Sequence, residues 1–459
     1  MSLEILKEQL EQILESGDTQ QLHDFLDHQN ISDVADLVYE LEGYESEIVS
    51  AMSVHRAVSV FKILDFGAQK KIIQTLPPDK TASLLNELPP DDRTDFLEDL
   101  PSNVVRELIK LLENEERKIT LSLLGYPENS VGRLMTPDYV YVYENNTVQH
   151  VLDTVRRVGK NSETIDVIYV IKENGELLDD IRIREFILAS PDKKVKELMD
   201  DRVIALNAYQ DQEEANEVFK MNNRVALPVV SNSNKLLGIV TIDDMLWVAS
   251  EEFSEDMQKI GGTEALDQPY LEIPLFRLFK KRVVWLVVLF FGELLTATAM
   301  AYFEEEIAKA VVLALFVPLI ISSGGNSGSQ ASTLIIQAMA VGELSISDWW
   351  RVMRREIFSG IMLGSVLGLI GFFRIFVWHS ITPEIYGPHW MLLGITVGIT
   401  LLGVVLWGTL CGSMLPMVLK RLGADPAVSS APFVATLVDV TGLVIYFSVA
   451  FALLTGKLL

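Results

Sequence analysis

The chain has 459 residues, with 63 Asp and Glu against 38 Lys and Arg, a formal net charge of −25, and nearly half of its residues hydrophobic. The imbalance is local: residues 1–272 carry a net of −27 and residues 273–459 a net of +2, so the two parts face different surroundings. An acidic part of that size argues against a nucleic-acid partner, which needs a basic face, and in favour of bound cations. The single cysteine, Cys411, rules out a disulfide within one chain, and six histidines scattered without ligand spacing argue against a zinc or other transition-metal enzyme.

Residues 1–25 are acidic and amphipathic rather than a signal peptide, so the first part is expected to stay in the cytosol. Residues 1–127 read as an α-helical, superhelical (solenoid-like) domain. Leu76-Pro77-Pro78-Asp79, Leu88-Pro89-Pro90-Asp91 and Leu100-Pro101-Ser102-Asn103 recur at a spacing of 12. Proline in a first helical turn, followed by an acidic or capping residue, is a helix start, so each repeat predicts one. Leu84-Leu85 and Phe96-Leu97 supply the faces on which such helices stack.

Residues 128–242 change to short apolar strands alternating with helices, and the pattern occurs twice. Leu134-Met135-Thr136-Pro137 is echoed by Leu198-Met199-Asp200-Asp201. The run 167–171, a turn at Asn174-Gly175 and the run 181–186 are echoed by 227–230, a turn at 232–234 and 238–244. The duplicated β-α-β-β-α order resembles a tandem CBS pair, an α/β regulatory module carried by many enzymes and channels.

Residues 243–276 form the connection to the apolar part. Glu251, Glu252, Glu255 and Asp256 stand at i, i+1, i+4 and i+5, so a helix places them along one side. Like charges at i, i+4 destabilise a helix unless a cation bridges them, and a divalent ion with hard oxygen ligands does so. A solvated acidic face is the alternative.

Residues 277–459 hold five apolar runs, at about 283–303, 310–340, 357–378, 390–419 and 427–455, each long enough to span a bilayer. Lys280, Lys281 and Arg282 precede the first, Arg351, Arg354 and Arg355 follow the second, and Lys420 and Arg421 follow the fourth. Between them the stretches 304–306 and 379–389 hold no Lys or Arg, Lys309 at the edge of the second run being a lone exception, so the alternation places the N-terminus inside and the C-terminus outside. The second run contains the polar stretch 322–330, with Gly324, Gly325 and Asn326, which reads either as broken backbone lining a cavity or as a seam of close helix packing; Pro318 before it predicts a kink. Arg374, near the outer end of the third run, is expected to snorkel.

Asp439 is the only charged residue among the 31 from Pro426 to Gly456. A carboxylate at the middle of a span is costly and marks an ion pathway unless it is a buried aspartate bonded to Thr436 and Thr441. Glu293 in the first run is a second intramembrane acid, either a proton or cation ligand or a group bonded to Thr296 or a neighbouring helix. No nucleophile–base pair, phosphate loop or metal-hydrolase motif is present, so an enzyme is not expected. The residues alone leave open a channel, a proton-coupled divalent cation transporter using Asp439 and Glu293, or a membrane sensor read through the CBS pair.

The order of domains, with Gly324-Gly325-Asn326-Ser327-Gly328 in the second span, Asp425-Pro426-Ala427, and the run 432–443 around Asp439, resembles the MgtE family of magnesium channels over essentially the whole chain. That resemblance implies a homodimer in the bacterial cell membrane, with a pore on the two-fold axis and the aspartate matching Asp439 holding hydrated Mg2+. It implies pore-lining roles for Gly324, Gly325, Asn326, Ala435 and Thr436. The connecting helix becomes a plug, closed by Mg2+ held at Asp91, Asp95, Glu213, Asp243, Asp244, Glu252, Glu255 and Asp256. ATP, where family CBS pairs bind it, would meet Arg184 and Glu185, while Val167 and Arg224 stand where aromatics are expected. Trp247, Asn223 and Ala431 also depart from the family pattern, at a plug acid, a CBS aspartate and a pore asparagine.

Overall fold

The computed structural model describes residues 3–266, 270, 271 and 273–457. The rest of the expected connection, 267–269 and 272, lies outside the described residues. The chain divides into two compact units, Met1–Ser250 and Glu251–Leu459.

In the first unit, ten short helices run from Leu3–Ser16 to Asn114–Leu123 among the described residues. The proline repeats start three of them: α1 (Pro78–Glu87), α2 (Pro90–Glu98) and α3 (Ser102–Leu111). Pro77, Pro89 and Pro101 are their N-caps, and the leucine before each, Leu76, Leu88 and Leu100, is buried in one continuous apolar core. Helix α2 is polar in sequence, yet it buries Arg93 completely. The Arg93 guanidinium donates to Leu85 O, Leu88 O and Thr120 Oγ1, and pairs with Glu116 Oε2 at 2.5 Å.

The duplication follows as β1 (Tyr141–Tyr143), α4 (Val148–Val158), β2 (Val167–Ile171), β3 (Leu177–Arg182) and α5 (Ile183–Leu188), then β4 (Leu206–Asn207), α6 (Gln212–Asn222), β5 (Ala226–Val230), β6 (Leu236–Thr241) and α7 (Ile242–Ile260). Each half is a three-stranded sheet with a parallel outer pair and an antiparallel hairpin. The two hairpin turns meet: Leu177 N–H donates to Asn234 O at 2.9 Å and Leu236 N–H to Gly175 O at 3.0 Å. Gly175 and Asn234 both take positive φ, +84° and +57°, the left-handed geometry that Gly and Asn tolerate in such turns. Asn223 likewise ends α6 at φ +48°, a left-handed C-cap whose backbone N–H donates to Phe219 O.

Among the described residues of the second unit, five helical stretches are long and apolar enough to cross a membrane: Leu275–Tyr302, Val311–Ala340, Ile346–Ile381, Gly387–Arg421 and Ala431–Leu454. Their α-helical parts are α8 (Leu275–Tyr302), α9 (Val317–Ala340), α10 (Trp349–Ile381), α11 (Trp390–Arg421) and α12 (Ala431–Leu454). Helix α9 is unbroken through 322–330, so the polar stretch is a packing seam and not broken backbone. Pro318 does not kink it either. It lies in the first turn, after a 3-10 stretch at Val311–Phe316, where its missing N–H costs no helical bond.

Two glycine seams hold α9, α10 and α11 together. A Cβ on Gly408 would lie 2.5 Å from Gly324 O, and one on Gly412 would strike Gly328 O. On the other side of α11, a Cβ on Gly364 would lie 2.8 Å from Leu402 Cα and one on Gly368 2.7 Å from Gly398 O. Helix α12 packs on α9 and α11, and α8 touches α12 while burying none of its own side chains within the single chain. The Arg374 guanidinium stacks over Phe316 and Trp378, each at 5.7 Å.

Candidate ion pathway and acidic clusters

Asp439 is the ninth residue of α12, well inside the helix, and is half-buried. The buried-aspartate alternative fails on hydrogen bonding. Thr436 Oγ1 donates to Pro432 O at 3.0 Å, and Thr441 Oγ1 to Leu437 O at 2.9 Å while accepting from Trp407 Nε1 at 2.8 Å. Among the described residues no side chain donates to the Asp439 carboxylate.

What faces it is backbone. A Cβ on Gly325 of α9 would lie 3.2 Å from Asp439 Oδ1 and 3.5 Å from Ala435 Cβ. Thr436 touches α8, because a Cβ on Gly292 would come within 2.5 Å of its Cγ2. Gly325, Ala435 and Thr436 therefore share the surroundings of Asp439, and Glu293 follows Gly292 on α8. Gly324 turns away, toward Val404 and Val438, and belongs to the seam. Asn326 is exposed and donates to Ser322 Oγ on its own helix at 3.3 Å. The turn entering α12 is held by α9 serines, with Ser329 Oγ donating to Ala431 O at 2.9 Å and Ser332 Oγ to Ser429 O at 2.8 Å.

The first unit gathers one acidic cluster. Asp91 and Asp92 on α2 and Asp243 and Asp244 at the start of α7 interact electrostatically, with Glu163 beside them and Lys62 the cation among them, 3.6 Å from Asp92 Oδ2. Asp91 is buried and its Oδ1 has no partner among the described residues. Burial, followed by the charge of Asp244, pushes the Asp91 carboxyl well above its ordinary value. Burial also pushes Asp244 up to about 7, although Thr241 donates to it through both Oγ1 and N–H. Asp92 and Glu163 are raised for the same first reason.

The second acidic cluster lies at the other end of α7. Glu252, Glu255 and Asp256 act on one another there, and Lys259 joins Glu255 to Asp425. Asp95 and Glu213 are exposed, on α2 and in the first turn of α6. Among the described residues no three carboxylates, imidazoles or thiolates converge closely enough to hold a metal ion by themselves. The sequence reading missed Asp92, Glu163, Lys62 and Lys259. The doubled acid in Pro90-Asp91-Asp92 was its one available signal.

An open polar cavity between the two halves of the duplication is lined by Asp179, Asp180, Arg182, Arg184, Arg202 and Arg224, among others. Arg184 pairs with its neighbour Glu185 at 3.1 Å, both near the surface. Arg224 Nη1 reaches Asp180 Oδ2 at 2.8 Å. Burial raises the Asp180 carboxyl to about 6 against the opposing pull of Arg224. Asp179 caps the neighbouring loop, accepting from Asp200 N–H at 2.8 Å.

The comparisons with known proteins follow this layout. Residues 317–449 match the MgtE divalent cation transporter family, 29–129 the MgtE intracellular N domain, and 131–192 and 195–251 the CBS domain. The magnesium transporter MgtE of Thermus thermophilus is 37% identical over 97% of this chain and 98% of its own length. The magnesium transporter MgtE of Bacillus subtilis is 29% identical over 96% and 95%. A crystal structure of the cytosolic domain of the Mg2+ channel MgtE in complex with ATP is 34% identical, with a TM-score of 0.50, over 52% of this chain and 98% of that one. The soluble part of a magnesium transporter, 23% identical with a TM-score of 0.52 over 55% of this chain and 99% of that one, shares the fold. With an intracellular N domain, a CBS pair and five membrane-spanning candidates in the same order, the chain belongs to the MgtE family of magnesium transporters.

Proposed function

We propose that this chain is a Mg2+-selective channel that imports magnesium and is closed by Mg2+ on its cytosolic side. The observation that carries the reading is Asp439, a mid-span carboxylate opposite the bare backbone of Gly325 and without a protein donor among the described residues. A carboxylate at that depth needs an ion or water in front of it. Mg2+ dehydrates reluctantly, so a largely hydrated ion held by carboxylates and carbonyls suits the site. In a homodimer two Asp439 side chains set −2 against +2, strong enough to select and softened by the retained water. Thr436, Ala435, Gly325 and the exposed Asn326 complete the proposed lining, while Gly324 stays in the packing seam behind them.

The gating half of the proposal rests on the acidic clusters. Hard carboxylate oxygens suit Mg2+, and the partnerless Oδ1 of buried Asp91 is a donor site that the protein leaves unfilled. Asp91, Asp243 and Asp244 would hold Mg2+ at one end of α7, and Glu252, Glu255 and Asp256 at the other, with Asp95 and Glu213 as outlying candidates. When Mg2+ is scarce the acids repel. When it is abundant the state with more bound ions is favoured, which is the closed one. The loop charges support cytosolic N-terminal domains and an outside C-terminus in the cell membrane.

ATP, held by the cytosolic domain of a relative, is proposed to reach the CBS cavity through Arg184 and Glu185. Its adenine finds no aromatic platform at Val167, and Arg224 is engaged with Asp180.

Growth of a magnesium-dependent bacterial strain tests the assignment. Wild type should restore growth at low Mg2+ and Asp439→Ala should not. Equal rescue by both would remove Asp439 from the pathway, and failure of both would undo the transport assignment. Channel currents that reverse at the Mg2+ equilibrium potential and ignore a pH gradient would exclude proton coupling.

A further inference from the structure

We infer that Lys259 is a positioning residue of the gate, a fixed cation that ties the membrane end of α7 to Asp425, so that this end is already held by an ion pair before any metal binds. The inference rests on the gating reading above and deepens it.

Lys259 Nζ donates to Asp425 Oδ2 at 2.7 Å and also pairs with Glu255, one turn back on α7. Asp425 is itself fixed: its Oδ1 accepts from Ala427 N–H at 2.8 Å and caps the short turn Pro426–Val428 that leads into α12, the helix of Asp439. Its two oxygens are thus divided between the turn and the lysine. Both partners gain direction from this, because a charged hydrogen bond to an already immobilised carboxylate costs little further ordering.

The residues after Lys259 seat on the same turn. Ile260 is buried with Ile336 of α9 and Ala427. Gly262, at φ +73°, passes so close that a Cβ there would lie 2.7 Å from Trp285 Nε1 and 3.3 Å from Pro432 Cγ. Trp285 Nε1 donates to Ser430 Oγ at 3.2 Å, which places α8 in the same contact. An ion pair, an apolar seat and a side-chain-free approach therefore act within four residues, at Lys259, Ile260 and Gly262.

The charge distribution separates this end of α7 from the other. The Lys259 ammonium lies between the carboxylates of Glu255 and Asp425 and is only partly exposed. Glu255 then has a resident counter-ion and is a poorer Mg2+ ligand than its sequence position implies. Lys259 thereby sets how firmly the membrane end of α7 is seated before Mg2+ is added.

The test uses the full chain in lipid nanodiscs and liposomes, with Lys259→Met, Asp425→Asn and the exchange Lys259→Asp/Asp425→Lys. Asn retains the capping oxygen, so Asp425→Asn removes the charge but not the cap; the exchange keeps both charges but gives up the cap at 425, so the single variants carry the test if it does not fold. In EDTA, amide hydrogen exchange of residues 255–262 should be protected in wild type, faster by about tenfold in the single variants, and slowed again in the exchange, tenfold being about 1.4 kcal/mol. Wild type exchanging in EDTA as fast as Lys259→Met would overturn the inference. In the liposome assay the single variants should need several-fold more Mg2+ for half-closure and the exchange variant should return toward wild type; midpoints unchanged in both single variants would also overturn it. Wild-type flux that ignores Mg2+ would instead sink the gating reading, and the exchange measurement in EDTA would still decide the ion pair.

Discussion

Gly325 and Asp439 occupy one space from two helices: a methyl group on the first would lie 3.2 Å from a carboxylate oxygen of the second. That distance is short enough that the carboxylate must move aside, although the nearby backbone need not. The glycine thus decides where the acid points. Gly325→Ala is expected to yield a folded protein with conductance lowered by about tenfold, equivalent to about 1.4 kcal/mol at the ion site. Gly325→Val should abolish it. Single-channel recording beside a size-exclusion profile separates lost conduction from lost folding, and a normally conducting Gly325→Val protein would break the pairing.

Asp91→Asn replaces a buried carboxylate, already pushed toward its neutral form, by a neutral isostere. The variant should be at least as stable as wild type without Mg2+, and should show a smaller rise in melting temperature on adding Mg2+. Identical Mg2+-induced shifts in the two proteins would place the regulatory ion elsewhere.

Arg93 is wholly buried, and four acceptors depend on it. Removing one partner of such a network leaves carbonyls and Glu116 uncompensated, so Arg93→Met should destabilise the N-terminal helices by about 3–5 kcal/mol. Chemical denaturation followed by circular dichroism measures it, and a loss below about 1 kcal/mol would contradict the packing.

Asp180 gives a pH dependence of definite sign. Its carboxyl stands at about 6 in the folded chain against an ordinary 3.8, so between those values the folded state holds a proton that the unfolded state has released. Stability should therefore fall as pH rises from about 4 to about 6 and level off above. Asp180→Asn should flatten that slope in urea titrations of the CBS pair. A wild-type slope of the opposite sign would show that the Arg224 ion pair outweighs burial.

Much of the fold was legible because its signals are periodic. The 12-residue proline repeat marked three helix starts, and Val167–Ile171 with the turns at Gly175 and Asn234 marked the hairpins. The polar stretch 322–330 was ambiguous because glycine serves broken backbone and close packing equally. Only the positions of Gly408 and Gly412, about 80 residues onward, decide for packing. Pro318 was misread as a kink because its place relative to the helix start is set by the 3-10 stretch before it. At the site, a lone mid-span acid identified Asp439. Lys62, Lys259 and Glu163 were invisible, since a charge in an acidic sequence shows its partner only when the chain folds. Arg93 was hidden for the converse reason: nothing in a polar helix announces that its arginine points inward.

The glycine seams bear on how a pore in this protein can open. Where backbone lies against backbone, as at Gly368 with Gly398 and Gly408 with Gly324, a sliding motion has no rotamer to give way and must break the contact outright. Helices α9, α10 and α11 then form a slab that moves as one body or not at all. Compliance is left to the members outside it, α12 through its short serine-held entry turn and α8 through its uncovered surface. The width of the ion pathway is accordingly a matter of how two outer helices lean on a stiff wall.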